Sequence, residues 1–580
     1  MNLDSAPLKP EKNSKCLQLL KAPIAWLAIG YVVCLSPFAC QYLKFHPDER
    51  HYIDAGLRMV QNGDYLTPRT PEGKLRLKKP IISYWLVAGS YRLFGVSVFS
   101  SRIPFLLVGC GVIVITYRLA KYMFDSQLIG ILAAAMASIQ PSILISSPRS
   151  LPDIVLTFCL LISAYGFAKL LKSSETTWSA IVLAYGGGGL AIEAKGLPAL
   201  LFVCYACAAC VALQHAQVLS SWKKHVFGWC MTFAVGASWF FLMYAWHEQA
   251  LLDEFLGDQI TERVNRDFLG VVYDLPFVAA TAALGFLPWA GAMIESLLKH
   301  GKSVFSSLNP VVVFFVGWIL IYFGLLAGVD RVNFRYQTPI APLMAILAAA
   351  LLAKIGPGRL KVHINRMSFL FSVVVLLVSV LSLALAVSKG SQVVLGVAVA
   401  VLSCCWGICF LRQNLKKMKI DDQISLSVLT LLLIFPSVYV GAQALADVSA
   451  EQKVVNKMIA TEAVGKSIAF FGKPSLPSKL RIMSGGQVDG TQIYPKRDGF
   501  DFTTWPDWEY DILVANDEYL RRVDLAGFEL DRISTNSFED LDASEVFRCF
   551  FNGQLDEYLD ERRTYLNVAV RRDSEGSVKR

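Results

Sequence analysis

Long apolar runs separated by short polar links fill the first 445 residues, after which the pattern changes to short alternating segments. A bilayer-crossing helix needs about 20 apolar residues. Runs of that kind begin near Ile24, Ile81 or Ser100 (one shared region), Leu128, Ile154, Ser179, Leu197, Val226, Phe277, Val311, Pro339, Phe369, Val393 and Ile424. They predict a mainly α, polytopic membrane protein with about thirteen transmembrane helices. The links carry charge unevenly. Lys9, Lys12, Lys15 and Lys21 precede the first run, and Arg118, Lys121, Lys172, Lys223, Lys224, Lys299, Lys302, Arg359, Lys361, Lys416, Lys417 and Lys419 fall on every second link. By the positive-inside rule that side is cytoplasmic, so the N-terminus is inside and an odd span count puts the C-terminus outside. Two large outer loops follow, at about 45–80 and 247–276, with shorter outer corners at Ser146–Asp153, Glu193–Pro198 and Asp330–Pro339.

Within residues 446–580, DILVAN (Asp511–Asn516) reads as a strand, EYLRRVDLAG as a helix ending at Gly527 and FELDRI as a second strand. That rhythm predicts a small C-terminal α/β soluble domain on the outer side, after a transmembrane domain over 1–445.

Composition agrees with the pattern. The chain is 54% hydrophobic and only 17% charged, where soluble proteins average about 25%. Its net charge of +9 is gathered in the links, so it reads as topology, and no nucleic-acid partner is expected. Most of the 13 Cys lie in apolar runs and behave as small hydrophobes. Gly186–Gly189 lacks the Lys-Ser/Thr ending of a phosphate-binding loop and lies in a span, which predicts close helix packing or a kink.

The candidate chemistry starts in the first outer loop. Asp48 and Glu49 follow a span directly and precede Tyr52, Ala55 and Met59, the spacing of an interfacial amphipathic helix. A carboxylate in that corner can orient an acceptor hydroxyl or take its proton; a solvated acidic pair is the plain alternative. Arg76, Lys78 and Lys79 end the same loop. They suit either anionic headgroups or a leaving phosphate, and Pro80 fixes the segment after Lys79. Asp153 and Lys195 sit at outer span ends, where snorkelling would account for Lys195 and Arg149 could neutralise Asp153.

The motifs PDERHY (Pro47–Tyr52), GDYLTPR (Gly63–Arg69), KKPIISYWL (Lys78–Leu86), YRLFG (Tyr91–Gly95), SRIP (Ser101–Pro104), RSLPD (Arg149–Asp153), AKGLP (Ala194–Pro198), LGDQITERV (Leu256–Val264), LPW (Leu287–Trp289) and FRYQTPIAPL (Phe334–Leu343) occur in that order. Through them the chain resembles the C-type glycosyltransferases that use polyprenyl-phosphate sugars, in the bacterial branch related to lipid A aminoarabinose transferases and protein O-mannosyltransferases. The resemblance implies Asp48 as principal catalytic carboxylate with Glu49 supporting it, and Asp153 as a further acid of the cavity. It implies Lys79, Arg263 and Tyr336 at the donor phosphate and Lys195 beside it. The implied reaction is inverting displacement at the anomeric carbon, with an undecaprenyl-type phosphate leaving and an acceptor oxygen attacking. Two departures argue against a divalent metal, and no cofactor is predicted: Lys78 stands where the aminoarabinose transferases carry an acid, and Gln259 lies near where they carry a His.

The expected partners are a polyprenyl-phosphate sugar donor, membrane lipids and a lipid or glycan acceptor such as lipid A or lipopolysaccharide. The expected setting is a bacterial inner membrane with the active site and C-terminal domain in the periplasm. A protein acceptor stays open. So does a transporter or flippase for a lipid-linked sugar, although transporters concentrate polar groups at the midplane and this chain gathers them in outer loops.

Overall fold

The computed structural model describes residues 22–41, 45–255, 276, 279–306, 309–327, 333–388, 403, 418–445, 449–460, 466–471, 475–493, 510–520, 528–535, 543–561 and 564–571. Seven helices in this set are long and apolar enough to cross a membrane: Pro23–Cys40, Val98–Phe124, Pro152–Lys172, Ala279–His300, Pro310–Ala327, Pro357–Val387 and Ile420–Gln443. The bent pair Trp222–Gly236 and Ser238–Phe255, broken by 47°, makes an eighth if counted as one span. Gln127–Ser138, Pro198–Leu213 and Ala341–Ala353 are shorter apolar helices. The protein is therefore a multi-pass membrane protein, with helices at nearly every predicted start. The run near Val393 lies outside the described residues.

The region shared by Ile81 and Ser100 resolves into two helices. Ile82–Phe94 is only 13 residues, too short to cross unaided. The span starts at Val98, where Ser97 and Ser100 form a reciprocal cap. Gly186–Gly189 packs closely against its neighbours, the first of the two readings open for it. A π-helical turn over Val182–Gly186 precedes the helix Gly187–Lys195, and a Cβ on Gly187 would meet the Ser163 backbone nitrogen at 2.7 Å.

Glu49–Asn62 is the amphipathic helix read from the sequence. It buries Tyr52, Ile53, Ala55, Leu57 and Met59 and ends at Gly63, whose φ of 71° lets its N–H cap the Met59 carbonyl.

The C-terminal residues build a five-stranded sheet of order β2-β1-β3-β5-β4, with β1 Ile468–Phe471, β2 Thr491–Ile493, β3 Ile512–Asn516, β4 Phe528–Thr535 and β5 Thr564–Arg571. β1 pairs in parallel with β2 and β3, and β5 runs antiparallel between β3 and β4. The strand at DILVAN and the one at FELDRI are thus separated by β5, not neighbours. Val454, Met458 and Leu480 cover one face over Phe470, Val514 and Val568, while Ala469, Phe471, Leu513 and Ala569 pack on the other. Burial on both faces explains why β1 is apolar throughout.

This unit is pinned to the interfacial helix by charge. Arg481 Nη1 and Ser478 Oγ donate to the buried Asp54 at 2.7 and 2.6 Å, and Arg58 pairs with Asp489.

Candidate active site

The end of the bundle that carries the 45–80 loop also carries a group of polar and ionisable side chains from four separate segments. Asp48 comes from the corner after the first span, Asp153 from the first turn of the helix Pro152–Lys172, Lys195 from the last turn of Gly187–Lys195, and Arg335 and Tyr336 from the short 3₁₀ turn Phe334–Gln337. Arg335 joins the two acids: it pairs with Asp48 through Nη2, and its Nε lies 3.8 Å from Asp153. Lys195 pairs with the other oxygen of Asp153, and its ammonium stands 4.6 Å from the centre of the Tyr336 ring. Tyr322 donates to the Tyr336 carbonyl at 3.0 Å, which holds that turn against the bundle.

Exposure separates these acids. The Asp48 side chain is 45% exposed, whereas Asp153 is 2% and Glu49 0%. Burial alone would push the Asp48 carboxyl up, but the Arg335 guanidinium beside it, through charge and hydrogen bond, holds it below the usual carboxylate range. Arg335 is in turn held protonated. Burial disfavours its charge, and Asp153 and Asp48 more than restore it.

Glu49 is placed differently. Arg102 donates to both its oxygens, from Nε at 2.8 Å and Nη2 at 2.7 Å. The backbone N–H groups of His46 and Ser150 donate as well, at 3.0 and 3.2 Å, and Arg149 Nε stands 4.0 Å away. Arg102 also reaches the carbonyls of Phe38 and Gln41 at 2.8 and 3.0 Å. The knot ties the end of the first span, the corner at His46–Glu49 and the Ser146–Asp153 link together. Arg149 therefore faces Glu49, and the neutralisers of Asp153 are Lys195 and Arg335. Lys195 is an ion-pair partner and not a snorkelling residue.

The charges can be balanced by residue. Arg335 and Lys195 offset Asp48 and Asp153, Arg102 offsets Glu49, and Arg149 is left as a surplus cation. Lys79 is half-buried, and two residues before it the Leu77 N–H donates to Glu254 at 2.7 Å, which fastens the 45–80 loop to the segment around Glu254. Arg263 and Gln259 lie outside the described residues. No three His, Cys, Asp or Glu side chains come together as a metal site among the described residues. Lys78, beside Lys79 on that loop, is a residue unsuited to ligate a divalent cation.

Sequence reasoning did not single out Arg335 or Arg102. Both sit inside motifs that the resemblance rested on, FRYQ and SRIP, and a buried arginine next to a span end was the available signal.

Residues 78–242 match the family model of dolichyl-phosphate-mannose-protein mannosyltransferase. The resemblance to this glycosyltransferase family holds. An uncharacterised protein of Aquifex aeolicus is 28% identical over 344 residues, 58% of this chain and 65% of that protein. The undecaprenyl phosphate-alpha-4-amino-4-deoxy-L-arabinose arabinosyl transferase 1 of Proteus mirabilis is 23% identical over 349 residues, 56% of this chain and 58% of its own length. The match thus spans less than two thirds of either relative. In fold, the crystal structure of ArnT from Cupriavidus metallidurans bound to undecaprenyl phosphate aligns with a TM-score of 0.66 at 16% identity, covering 96% of this chain and 98% of that one. The polytopic architecture is therefore ArnT-like.

Proposed function

We propose that the protein transfers a sugar from a polyprenyl-phosphate donor, of the undecaprenyl type, to an envelope acceptor such as lipid A or another glycan. The observation that carries this reading is an accessible carboxylate, Asp48, tied through Arg335 to the buried Asp153 and its partner Lys195 at the end of a membrane bundle. Chemistry at that place can take a sugar from a lipid whose tail stays in the bilayer. The arabinosyl transferase relatives and the ArnT fold support a lipid-linked donor. The reading places the site on the periplasmic face of an inner membrane, with residues 446–580 on the same side.

In the reaction the acceptor oxygen attacks the anomeric carbon, the bond from that carbon to the phosphate oxygen breaks, and the configuration inverts. Asp48 is the catalytic residue toward the acceptor, orienting its hydroxyl and receiving the proton as the new bond forms. A carboxylate held below its usual range is a weak base at rest, so orientation is the larger share of its work, and proton receipt comes late, when the attacking oxygen has become acidic. Asp153 acts through Arg335 and Lys195 by fixing them around the reacting centre. Glu49 is a positioning residue that sets the corner carrying Asp48. Lys79, Arg263, Lys195 and Tyr336 receive the leaving phosphate, whose charge grows in the transition state.

The test is transfer of a radiolabelled sugar by the purified protein in detergent, from undecaprenyl-phosphate sugars to lipid A. Transfer without a sealed compartment is the expected result. Activity that appears only in sealed vesicles, as movement of the donor without transfer, would replace this reading with a transporter.

A further inference from the structure

At the end of the bundle away from Asp48, a groove runs between two spans. Gln337 Nε2 donates to Thr281 Oγ1 at 2.5 Å, so the helix Ala279–His300 starts beside the Asp48 site and His300 lies at the far end. The helix Pro357–Val387 finishes near Leu385, which packs with Val546 and Cys549 of the C-terminal unit, so Pro357 lies at the far end too. Glu295 joins the two helices there by pairing with Lys299, Arg359 and His363. The positive-inside pattern assigns this end to the cytoplasm.

Trp289, Ala292, His363, Arg366, Met367 and Leu370 line the groove. Glu295 is taken up by its three cations, and Arg366 is left over. Its side chain is exposed and has no ion-pair or hydrogen-bond partner among the described residues. One carboxylate against Lys299, Arg359 and Arg366 leaves this end of the groove positive, whichever form His363 takes. Arg366 also stands five residues past Lys361 on the same helix, about 7 Å deeper toward the bilayer centre at 1.5 Å per residue. A cation at that depth needs an anion or must reach back to water.

Trp289 is the second unmet group. Its side chain is buried, and its indole Nε1 has no hydrogen-bond acceptor. An unmet donor of that kind is costly, and folded proteins keep few of them. Around both residues Leu298, Val362, Phe369 and Leu370 are exposed, the apolar surface of helices that face lipid. Reaching back to water would satisfy Arg366 alone and leave the indole as it is. A phospholipid with a net negative headgroup meets both needs. Its phosphate takes the planar Arg fork in two parallel hydrogen bonds, its ester carbonyl just below the phosphate can accept from the indole, and its acyl chain continues along Met367 and Leu370.

We propose that this groove binds one anionic phospholipid of the leaflet opposite Asp48, held by Arg366 through its phosphate and by Trp289 through an ester carbonyl. The site is independent of the transfer reading and involves neither the sugar donor nor the acceptor.

The experiment uses the full-length protein in detergent micelles carrying a subsaturating amount of phosphatidylglycerol with a photoactivatable acyl chain, and maps the labelled peptides by mass spectrometry. Label is expected on the peptide that contains residues 360–370. Arg366→Gln should lower it about tenfold, as loss of a charge-assisted contact implies. Trp289→Phe, which keeps an aromatic ring and removes the N–H, should lower it about threefold. Photoactivatable phosphatidylcholine, neutral overall, should label the same peptide several-fold less. Equal labelling of either folded variant, equal labelling by phosphatidylcholine, or no label on this peptide overturns the proposal. Loss of the label on adding excess inorganic phosphate also overturns it, because the groove would then be a site for a free anion. Melting temperature checks the fold of each variant; should Trp289→Phe fail to fold, the exposed Arg366→Gln and the comparison of the two lipids carry the test.

Discussion

Two ion clusters one residue apart in sequence are built to opposite ends. Around Asp48 the acid is open to solvent on one side, and its partner Arg335 is shared with a second acid. Around Glu49 the acid is sealed, with Arg102 on both oxygens and two backbone N–H groups completing the shell. The open cluster has capacity left for a substrate, whereas the closed one has none and serves to hold three segments at a fixed angle. Adjacent carboxylates of the same charge are thus told apart by what is left unsatisfied, not by position in a motif.

The comparison breaks first at Asp48. Asp48→Asn keeps the shape but loses the negative charge, and turnover should fall by at least about 10²-fold, with an unchanged melting temperature. A large loss of thermal stability would move Asp48 into the same class as Glu49.

Glu49→Gln should do the reverse. It strands Arg102 in a dry site, which costs about 3–5 kcal/mol when one partner of a buried pair is removed. The readout is a lowered melting temperature and poor expression. A Glu49→Leu/Arg102→Met protein, with both charges gone, should recover much of that stability. A Glu49→Gln protein that melts normally but transfers no sugar would make Glu49 a participant in the chemistry.

Lys79→Ala should weaken donor binding by about 1.5–3 kcal/mol, the value of a charge-assisted contact, and Arg263→Ala should do likewise. Binding of undecaprenyl phosphate checks both, and unaltered affinity removes the residue concerned from the donor site.

The smallest effect is in pH. Because Arg335 holds the Asp48 carboxyl below its usual range, their interaction is present above the ordinary carboxylate value and lost only as pH falls through the lower folded value. Transfer should therefore show no acid limb near the ordinary Asp value of about 3.9, and Arg335→Ala should move the limb upward. A limb at the ordinary value in the unaltered protein would mean that the pair is not formed in solution.

Much of this was legible in the residues. Membrane helices reveal themselves through apolar length, so Ile24, Ile154 and Val311 each mark a span that the structure contains. The corner at Asp48 and the interfacial helix after it followed from spacing alone, as did the strand at Ile512–Asn516. Pairing was not legible. Arg335 reaches Asp48 across 287 residues and Arg102 reaches Glu49 across 53, distances over which local pattern carries no information. For the same reason the partner of Arg149 was misread, and β5 was not foreseen between β3 and β4.

The most direct test of the central claim is sugar transfer by purified Asp48→Ala protein in detergent, with undecaprenyl-phosphate binding and melting temperature measured on the same sample. The account predicts transfer lost by about 10²-fold or more while binding and melting stay at the level of the unaltered protein. Full transfer by a well-folded Asp48→Ala protein would contradict it, whatever the acceptor.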